Sequence, residues 1–476
     1  MTHTVTTGHQ ASPAPPAPRG DHAGPVLPSF DQLRAATSAA PPTDAQLRAH
    51  FTPVFERIAA GAAQRELDHE LAYDAVELLR ASGFTRVRLA REHGGIGASL
   101  PQLAGLLVDL AAADSNLPQA LHGHFMFTEQ HQGQSQGAVS EWWLAEVAAG
   151  RIFGNALVEL PPAAGRRPVL WADADPDTAQ AASVTGDTEI AQLTGDKYYS
   201  TGAVFADHLL VSATRPGRED DGPVFAIIDA RDPGVSRIDD WNGFGQRLTA
   251  SGTTTLDAVP VRAHRTQEFN VPTGVLAYTV LWVVLAATQA GIGAAALEEI
   301  TRFVRARRRT YDHATVETPA QDPLVHQVIG SVSAKVSAAR HIVTSAAAVV
   351  EESYRQVRGR LDLEDPVVVE AHTRANVALS EATLVVSELV LEATNQIFET
   401  GGASATDAAR QLHRHWLNAR TVASHTPLVY RARAVGDFRL HGTVPPFHST
   451  ARNSDPSPGT TPDTIPDAAP TTEGAR

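Results

Sequence analysis

A chain of 476 residues, 43% hydrophobic and 19% charged, is long enough to bury a large core or several packed domains. A net charge of -14 argues against a nucleic-acid partner. The absence of cysteine excludes disulfides, thiolate catalysis and cysteine-held zinc or iron–sulfur centres.

Residues 1–44 read as a mostly disordered tail. The first 28 are Pro/Ala/Gly-rich and lack the apolar segment of a secretory signal. Together with the missing cysteines this predicts a cytoplasmic protein.

Residues 45–150 read as a helical domain. Leu47, Phe51, Val54, Phe55 and Ile58 recur at helical spacing, as do Tyr73, Val76, Leu78 and Leu79. A glycine-rich break at 91–98 precedes helices over Leu100–Ala112 and Gln119–Gln130. His122 and His124 look like a metal pair, but positions i and i+2 of a helix do not share a face, so no metal is expected. The same holds for His413 and His415.

Residues 151–265 change character. Short β-type runs at 191–199, 208–213, 224–229 and 253–261 are separated by Gly- and Pro-rich turns, which predicts an antiparallel β-barrel or sandwich. Phe153-Gly-Asn155 opens this domain and offers an amide beside backbone N–H groups. Ser200 and Thr201 sit before a tight bend at Gly202. Their hydroxyls either satisfy the strand end or donate to a ring nitrogen or carbonyl. The loop Trp241–Gly252 either frames a ligand or connects strands.

Residues 266–446 return to long amphipathic helices, a four-helix bundle of the kind that also mediates oligomerisation. The apolar stretch from Val275 to Leu297 contains Thr, Gln and Trp and reads as a buried helix rather than a membrane span. Gly291-Ile-Gly293 has no preceding strand, so it is small-residue packing and not a dinucleotide fingerprint. No nicotinamide site or phosphate-binding loop appears elsewhere. Arg302–Tyr311 is a basic helix end, either a solvated face or a clamp for phosphate. Residues 447–476 form a second polar tail.

His425 is the strongest catalytic candidate. It precedes Thr426-Pro427, where a helix should stop, and it lies among Asn418, Arg420, Thr421 and Ser424. Histidine exchanges protons near neutrality, and a rigid helix behind it would hold it in place.

Several segments carry a family resemblance, in this order: Phe153–Ala156, Tyr199–Ala203 with Phe205–Asp207, Gly243–Gly252, Gly401–Thr406, Asn418–Pro427 and Gly442–Pro446. Over about residues 45–446 the chain resembles the acyl-CoA dehydrogenase fold, a mainly α architecture with a central β-domain. Within that superfamily it resembles the flavin-dependent monooxygenase branch, which includes dibenzothiophene monooxygenases, monooxygenases of sulfone catabolism and amino-sugar nitrososynthases. Many dehydrogenases carry a glutamate in a Tyr-Glu-Gly-Thr-type segment where this chain has Ser424-His425-Thr426-Pro427, so the carboxylate base is missing there.

The resemblance implies a two-component monooxygenase. Reduced FMN, in preference to FAD, would be supplied by a separate NAD(P)H-dependent flavin reductase. A flavin C4a-hydroperoxide would then oxygenate a soft nucleophile, foremost the sulfur of a small organosulfur compound. It implies His425, Ser200, Thr201 and Asn155 as catalytic residues. Phe153, Ser200, Thr201, Arg307, Arg309, Gly401, Gly402 and Arg420 would bind the cofactor, with Arg307 and Arg309 reaching it from a neighbouring subunit in a homotetramer, and Gly436–Pro446 would cover the pocket. The rival readings are an N-oxygenase, an FAD-dependent acyl-CoA dehydrogenase that holds its flavin tightly, and a non-catalytic helical oligomer that binds none.

Overall fold

The structure is a computed structural model that describes residues 27–133, 138–160, 166–173, 189–218, 222–262, 265–267, 272–360 and 362–445. Most of both expected tails, and most of the insertion between Pro161 and Asp187, lie outside the described residues.

The N-terminal helices are α1 (Phe30–Ala36), α2 (Asp44–Asp68), α3 (Tyr73–Ser82), α4 (Leu100–Ala113), α5 (Asn116–Ala120), α6 (His122–Gly133) and α7 (Ala138–Ala148). The expectation of a disordered tail through residue 44 is corrected by α1. Ser29 caps it reciprocally with Gln32, and Phe30 and Leu33 are buried against the core. The Arg86 guanidinium lies 3.5 Å from the Phe30 ring centre. Two apolar residues and one cap therefore anchor a segment whose overall composition reads as tail.

The central strands are β1 (Phe153–Ala156), β2 (Leu170–Asp173), β3 (Glu189–Lys197), β4 (His208–Ala213), β5 (Val224–Asp229), β6 (Val235–Ile238), β7 (Thr253–Arg262) and β8 (Thr266–Gln267). They form two four-stranded sheets, ordered β1-β4-β5-β8 and β2-β3-β7-β6. The sheets do not close into a barrel. The β-domain is also not purely antiparallel, because β1 runs parallel to β4 with Asn155 opposite Leu210. Pro260 is tolerated within β7 because β6 pairs only Thr253–Leu256, so the far half of β7 is an edge.

The C-terminal helices are α8 (Pro272–Ala306), α9 (Pro323–Val357), α10 (Pro366–Gln396), α11 (His413–Ala423) and α12 (Leu428–His441). Helix α8 is the axis of the molecule, packing against α4, α6, α9, α10 and α11. By length and composition it could cross a membrane, but 89% of its most apolar window is buried inside the protein. Gly291 explains how α4 and α8 approach: a Cβ there would lie 2.4 Å from both Ala111 Cβ and the Val108 carbonyl oxygen. Gly436–His441 belongs to α12 and packs with it along α10; Pro446 lies outside the described residues.

Helix α11 is held to α8 by Glu299, which bonds the Arg414 guanidinium and accepts from His415 Nε2 at 3.0 Å. Burial alone would raise the Glu299 pKa, but the hydrogen bond and charge of His415, together with Arg414, hold it at about 2. Glu299→Ala leaves the buried Arg414 guanidinium without its carboxylate and His415 Nε2 without its acceptor. It should destabilise the fold by about 3–5 kcal/mol, read as a fall in the urea midpoint.

Candidate active site

Four elements converge at the end of α11. His425 follows the last turn of that helix, with its N–H donating to the Val422 carbonyl at 3.1 Å. Its ring stands edge-on to Trp282 of α8, at 5.5 Å between centroids, and edge-on to His122 of α6, at 6.4 Å. Asn155 of β1 donates from Nδ2 to His122 Nε2 at 2.8 Å. That direction is fixed because His122 Nδ1 donates to the Gln119 carbonyl, leaving Nε2 as the acceptor. The tautomer of His122 thereby sets the amide orientation of Asn155 and leaves the Asn155 carbonyl oxygen for another partner.

His425 is exposed in the single chain, yet protein crowds its ring, which is the signature of a residue on the wall of a cleft. Burial, then His122 and Arg431, lower its pKa to about 3. It is therefore a neutral imidazole at pH 7, with no hydrogen-bond partner for its ring among the described residues. None of the charges acting on His122, His425 or Arg431 is a carboxylate.

His122 and His124, both on α6, have different tasks. His124 points away from the cleft, where Nε2 donates to the Thr85 carbonyl at 2.7 Å and Nδ1 accepts from the Phe153 N–H. Burial lowers the pKa of both His122 and His124 to about 4. Unfolded histidine titrates near 6.5, so between the two values the unfolded chain binds more protons. The stability these residues contribute is complete above pH 6.5 and is lost as pH falls toward 4. The urea midpoint should therefore drop steeply over that window, each histidine contributing on the order of 3 kcal/mol. A midpoint that stayed flat there would refute the assignment of neutral buried rings.

The β-domain supplies a second wall. Tyr199 adopts a left-handed conformation (φ 55°), and its ring meets Trp241 at 5.8 Å. Ser200 is 1% exposed and its hydroxyl has no partner among the described residues. Thr201 is committed: its hydroxyl pairs with that of Ser251 at 2.8 Å, which pairs in turn with Thr249. The loop bearing Gln246 is pinned between helices. Its backbone N–H donates to Asn418 Oδ1 at 2.6 Å and its side chain to Gln119 at 2.8 Å.

Not every expected residue joins this cluster. The Phe153 side chain is fully buried, stacked on Phe127 at 3.9 Å and enclosed by Trp143 and His208. Its ring is core, and only its backbone could face a cofactor. The Arg420 guanidinium turns along α11 to the Ser424 hydroxyl. Arg307, Arg309, Gly401 and Gly402 gather at the opposite end of α8. There Arg307 donates to the Gly401 carbonyl at 2.7 Å, and Gly402, in the left-handed region, lies against the Tyr311 hydroxyl. A cavity of about 260 Å³ opens at this end, lined by Phe303, Arg307, Arg308, Arg309, Ser404 and Arg410. From Trp282 to Phe303 along α8 is about 30 Å, farther than one FMN spans.

Sequence reasoning missed Trp282, Arg431 and the site role of His122. The first lies in an apolar run that reads as core. Arg431 lies on a helix rich in exposed basic residues. His122 could have been found only by its pairing with Asn155.

Residues 283–430 match the family model of the acyl-CoA dehydrogenase C-terminal domain. A probable FMNH2-dependent monooxygenase, SfnC of Pseudomonas putida, is 26% identical over 408 residues, covering 82% of this chain and 97% of that protein. Dibenzothiophene monooxygenase of Mycolicibacterium goodii is 26% identical over 419 residues, covering 83% of this chain and 91% of that protein. The structure of TdsC from Paenibacillus sp. A11-2 with FMN and indole superposes with a TM-score of 0.72 at 25% identity, covering 84% of this chain and 98% of that one. Residues 283–430 therefore resemble an acyl-CoA dehydrogenase C-terminal domain, and over most of its length the chain is similar to flavin-dependent monooxygenases with that fold.

Proposed function

We propose that this protein is an FMNH2-dependent monooxygenase that oxygenates a soft nucleophile, the sulfur of a small organosulfur compound. The observation that carries this reading is the neutral His425–His122–Asn155 cluster against Trp282, on which no carboxylate acts. Oxidation of an acyl thioester needs a carboxylate-type base at the substrate α-carbon. Oxygen transfer needs a neutral proton donor and acceptor in a water-poor cleft.

The residues present fit FMN. Ser200 offers a buried, unpartnered hydroxyl, and Tyr199 and Trp241 offer aromatic faces beside it. The arginine-lined cavity at the far end of α8 suits a phosphate. Because that end is too distant to serve the same flavin as His425, it completes the site of a neighbouring subunit in a homotetramer. The matching similarity to dibenzothiophene monooxygenase supports sulfur as the oxygen acceptor.

Reduced FMN, when bound, supplies two electrons and activates oxygen, so that one oxygen atom enters the substrate and the other leaves as water. The protein's own residues do the rest. Asn155, oriented by His122, presents its carbonyl oxygen to the cleft. His425 donates or receives the proton at the reacting oxygen. Trp282 and the 241–252 loop exclude water. The reduced flavin comes from a separate NAD(P)H-dependent reductase in the cytoplasm, since the chain carries no nicotinamide-binding fingerprint of its own.

The test is a single-turnover reaction of the protein with reduced FMN, ¹⁸O-labelled oxygen and dibenzothiophene or methanesulfinate. The expected result is one labelled oxygen in the product. Hydrogen peroxide alone with every sulfur compound, together with bleaching of bound FAD by an acyl-CoA, would replace this reading with the dehydrogenase one.

A further inference from the structure

We propose that Arg431 makes this cleft selective for substrates with an anionic head group, a sulfinate, sulfonate or carboxylate, held beside Trp282. The observation is a guanidinium without a counter-ion. Arg431 lies on the first turn of α12, stacked on the Trp282 ring with 3.3 Å between Cζ and the centroid. Nη1 donates to Ser380 Oγ at 3.2 Å. Nε is buried and has no partner. Among the described residues no carboxylate pairs with it, and the only other group that stabilises its charge is the phenol of Tyr278.

Three other partly buried arginines near the core carry a carboxylate partner, whereas Arg86, stacked on Phe30, bonds backbone carbonyls. Arg65 pairs with Asp114, Arg88 with Glu129, and Arg414 with Glu299. A largely buried cation with no carboxylate is costly unless an anion arrives to share the site. Burial lowers the Arg431 pKa only to about 10, so the group remains a cation at pH 7.

Its position selects what that anion is. Trp282 touches Arg431 on its face and His425 on its edge, so the guanidinium and the proton-handling imidazole lie on one aromatic residue. An anionic head group on the free N–H edge of Arg431 would place a short apolar or sulfur-bearing remainder along Trp282 toward His425. A fork-shaped donor recognises two oxygens of a sulfinate or carboxylate together. A neutral sulfide or sulfone offers no charge to compensate Arg431. The arginine cavity at the far end of α8 is left to the FMN phosphate, so the two anions have separate sites.

The inference takes its meaning as substrate selection from the monooxygenase reading, but binding is measurable without turnover. The full-length, FMN-free protein is titrated calorimetrically with methanesulfinate and with dimethyl sulfone, a neutral probe of similar size. Methanesulfinate should bind the more tightly of the two. Arg431→Gln should weaken it by roughly tenfold or more, as expected for loss of charge-assisted hydrogen bonds. Arg431→Lys should recover part of the affinity, and Arg439→Gln, which removes a surface arginine paired with Glu381 on the same helix, should leave it unchanged. If the glutamine variant does not fold, Arg431→Met keeps an unbranched stem over Trp282 and reads the same loss.

Equal affinity for the neutral probe would overturn the proposal. So would no sulfinate binding, or a loss confined to FMN affinity in the Arg431 variants. Arg431-dependent sulfinate binding without any labelled product would instead retain the anion site and remove the monooxygenase reading.

Discussion

Replacing His425 by alanine will lower product formation by about 10²- to 10⁴-fold, the range for loss of one positioned acid–base group. FMN affinity will stay close to that of the parent. The ring has no hydrogen-bond partner among the described residues, stands edge-on to Trp282 and His122, and closes the cleft at the end of α11. Nothing in the fold depends on it, so its removal leaves a folded protein. Oxygen consumption with reduced FMN should continue, with hydrogen peroxide replacing oxygenated product. His425→Gln, which keeps a hydrogen-bonding group but cannot exchange a proton near neutrality, should resemble the alanine variant in product yield. Because the His425 pKa is held near 3, the free protein's kcat/KM should show no titration of this group between pH 5 and 9. Product yield in His425→Ala equal to that of the parent would remove His425 from the mechanism.

The behaviour of His425 depends on how α11 is held. Glu299 locks the start of the helix to α8 through Arg414 and His415. Asn418, one turn on, locks it to the 241–252 loop through the Gln246 N–H and to Ser115. Both partners are distant in sequence and arrive from different domains. A substitution at either therefore reaches the cleft through the helix rather than by contact with substrate.

Much of this was legible in the sequence, for identifiable reasons. His425 stands out because Pro427 forbids continuation of the helix, and polar side chains crowd the same stop. Asn155 and Ser200 were found through segments that open or end strands, where backbone polar groups are free. The parallel pairing of β1 with β4 was not legible, because such pairing leaves no turn signal between adjacent strands. Trp282 was hidden by its helix: a tryptophan within Val280–Leu285 has the periodicity of core on every side. Arg431 was hidden for the opposite reason, since Arg433 and Arg439 surround it with charge that reads as a solvated face. What distinguishes it is the absence of a carboxylate in three dimensions, a property that spacing does not encode.

The expectation with the largest effect on stability concerns Gly202. It has φ 75° and ψ 0°, a conformation costing a residue with a Cβ about 1–2 kcal/mol by itself. A Cβ there would lie 2.0 Å from the Ala120 carbonyl oxygen and 2.9 Å from its carbon, both backbone atoms. Neither side can yield easily. The Gly202 N–H donates to the Thr249 carbonyl, and the following 3₁₀ turn bonds back to Gly202. Ala120 ends α5, two residues before His122. Gly202→Val should therefore cost more than about 4 kcal/mol, the range reached only by core overpacking or backbone strain. Gly436→Ala provides the opposite case. That glycine lies within α12, its Cβ would meet nothing within 4 Å, and alanine should stabilise by about 0.5–1 kcal/mol. Urea unfolding of the two variants against the parent separates the effects, and near-equal midpoints for Gly202→Val and the parent would mean the bend can move away from α5. If the milder Gly202→Ala still folds, the displacement must fall on Ser200 and Thr201 on one side or on His122 on the other. It should then reduce product yield through the cleft even where stability suffices, because Asn155 takes its orientation from His122.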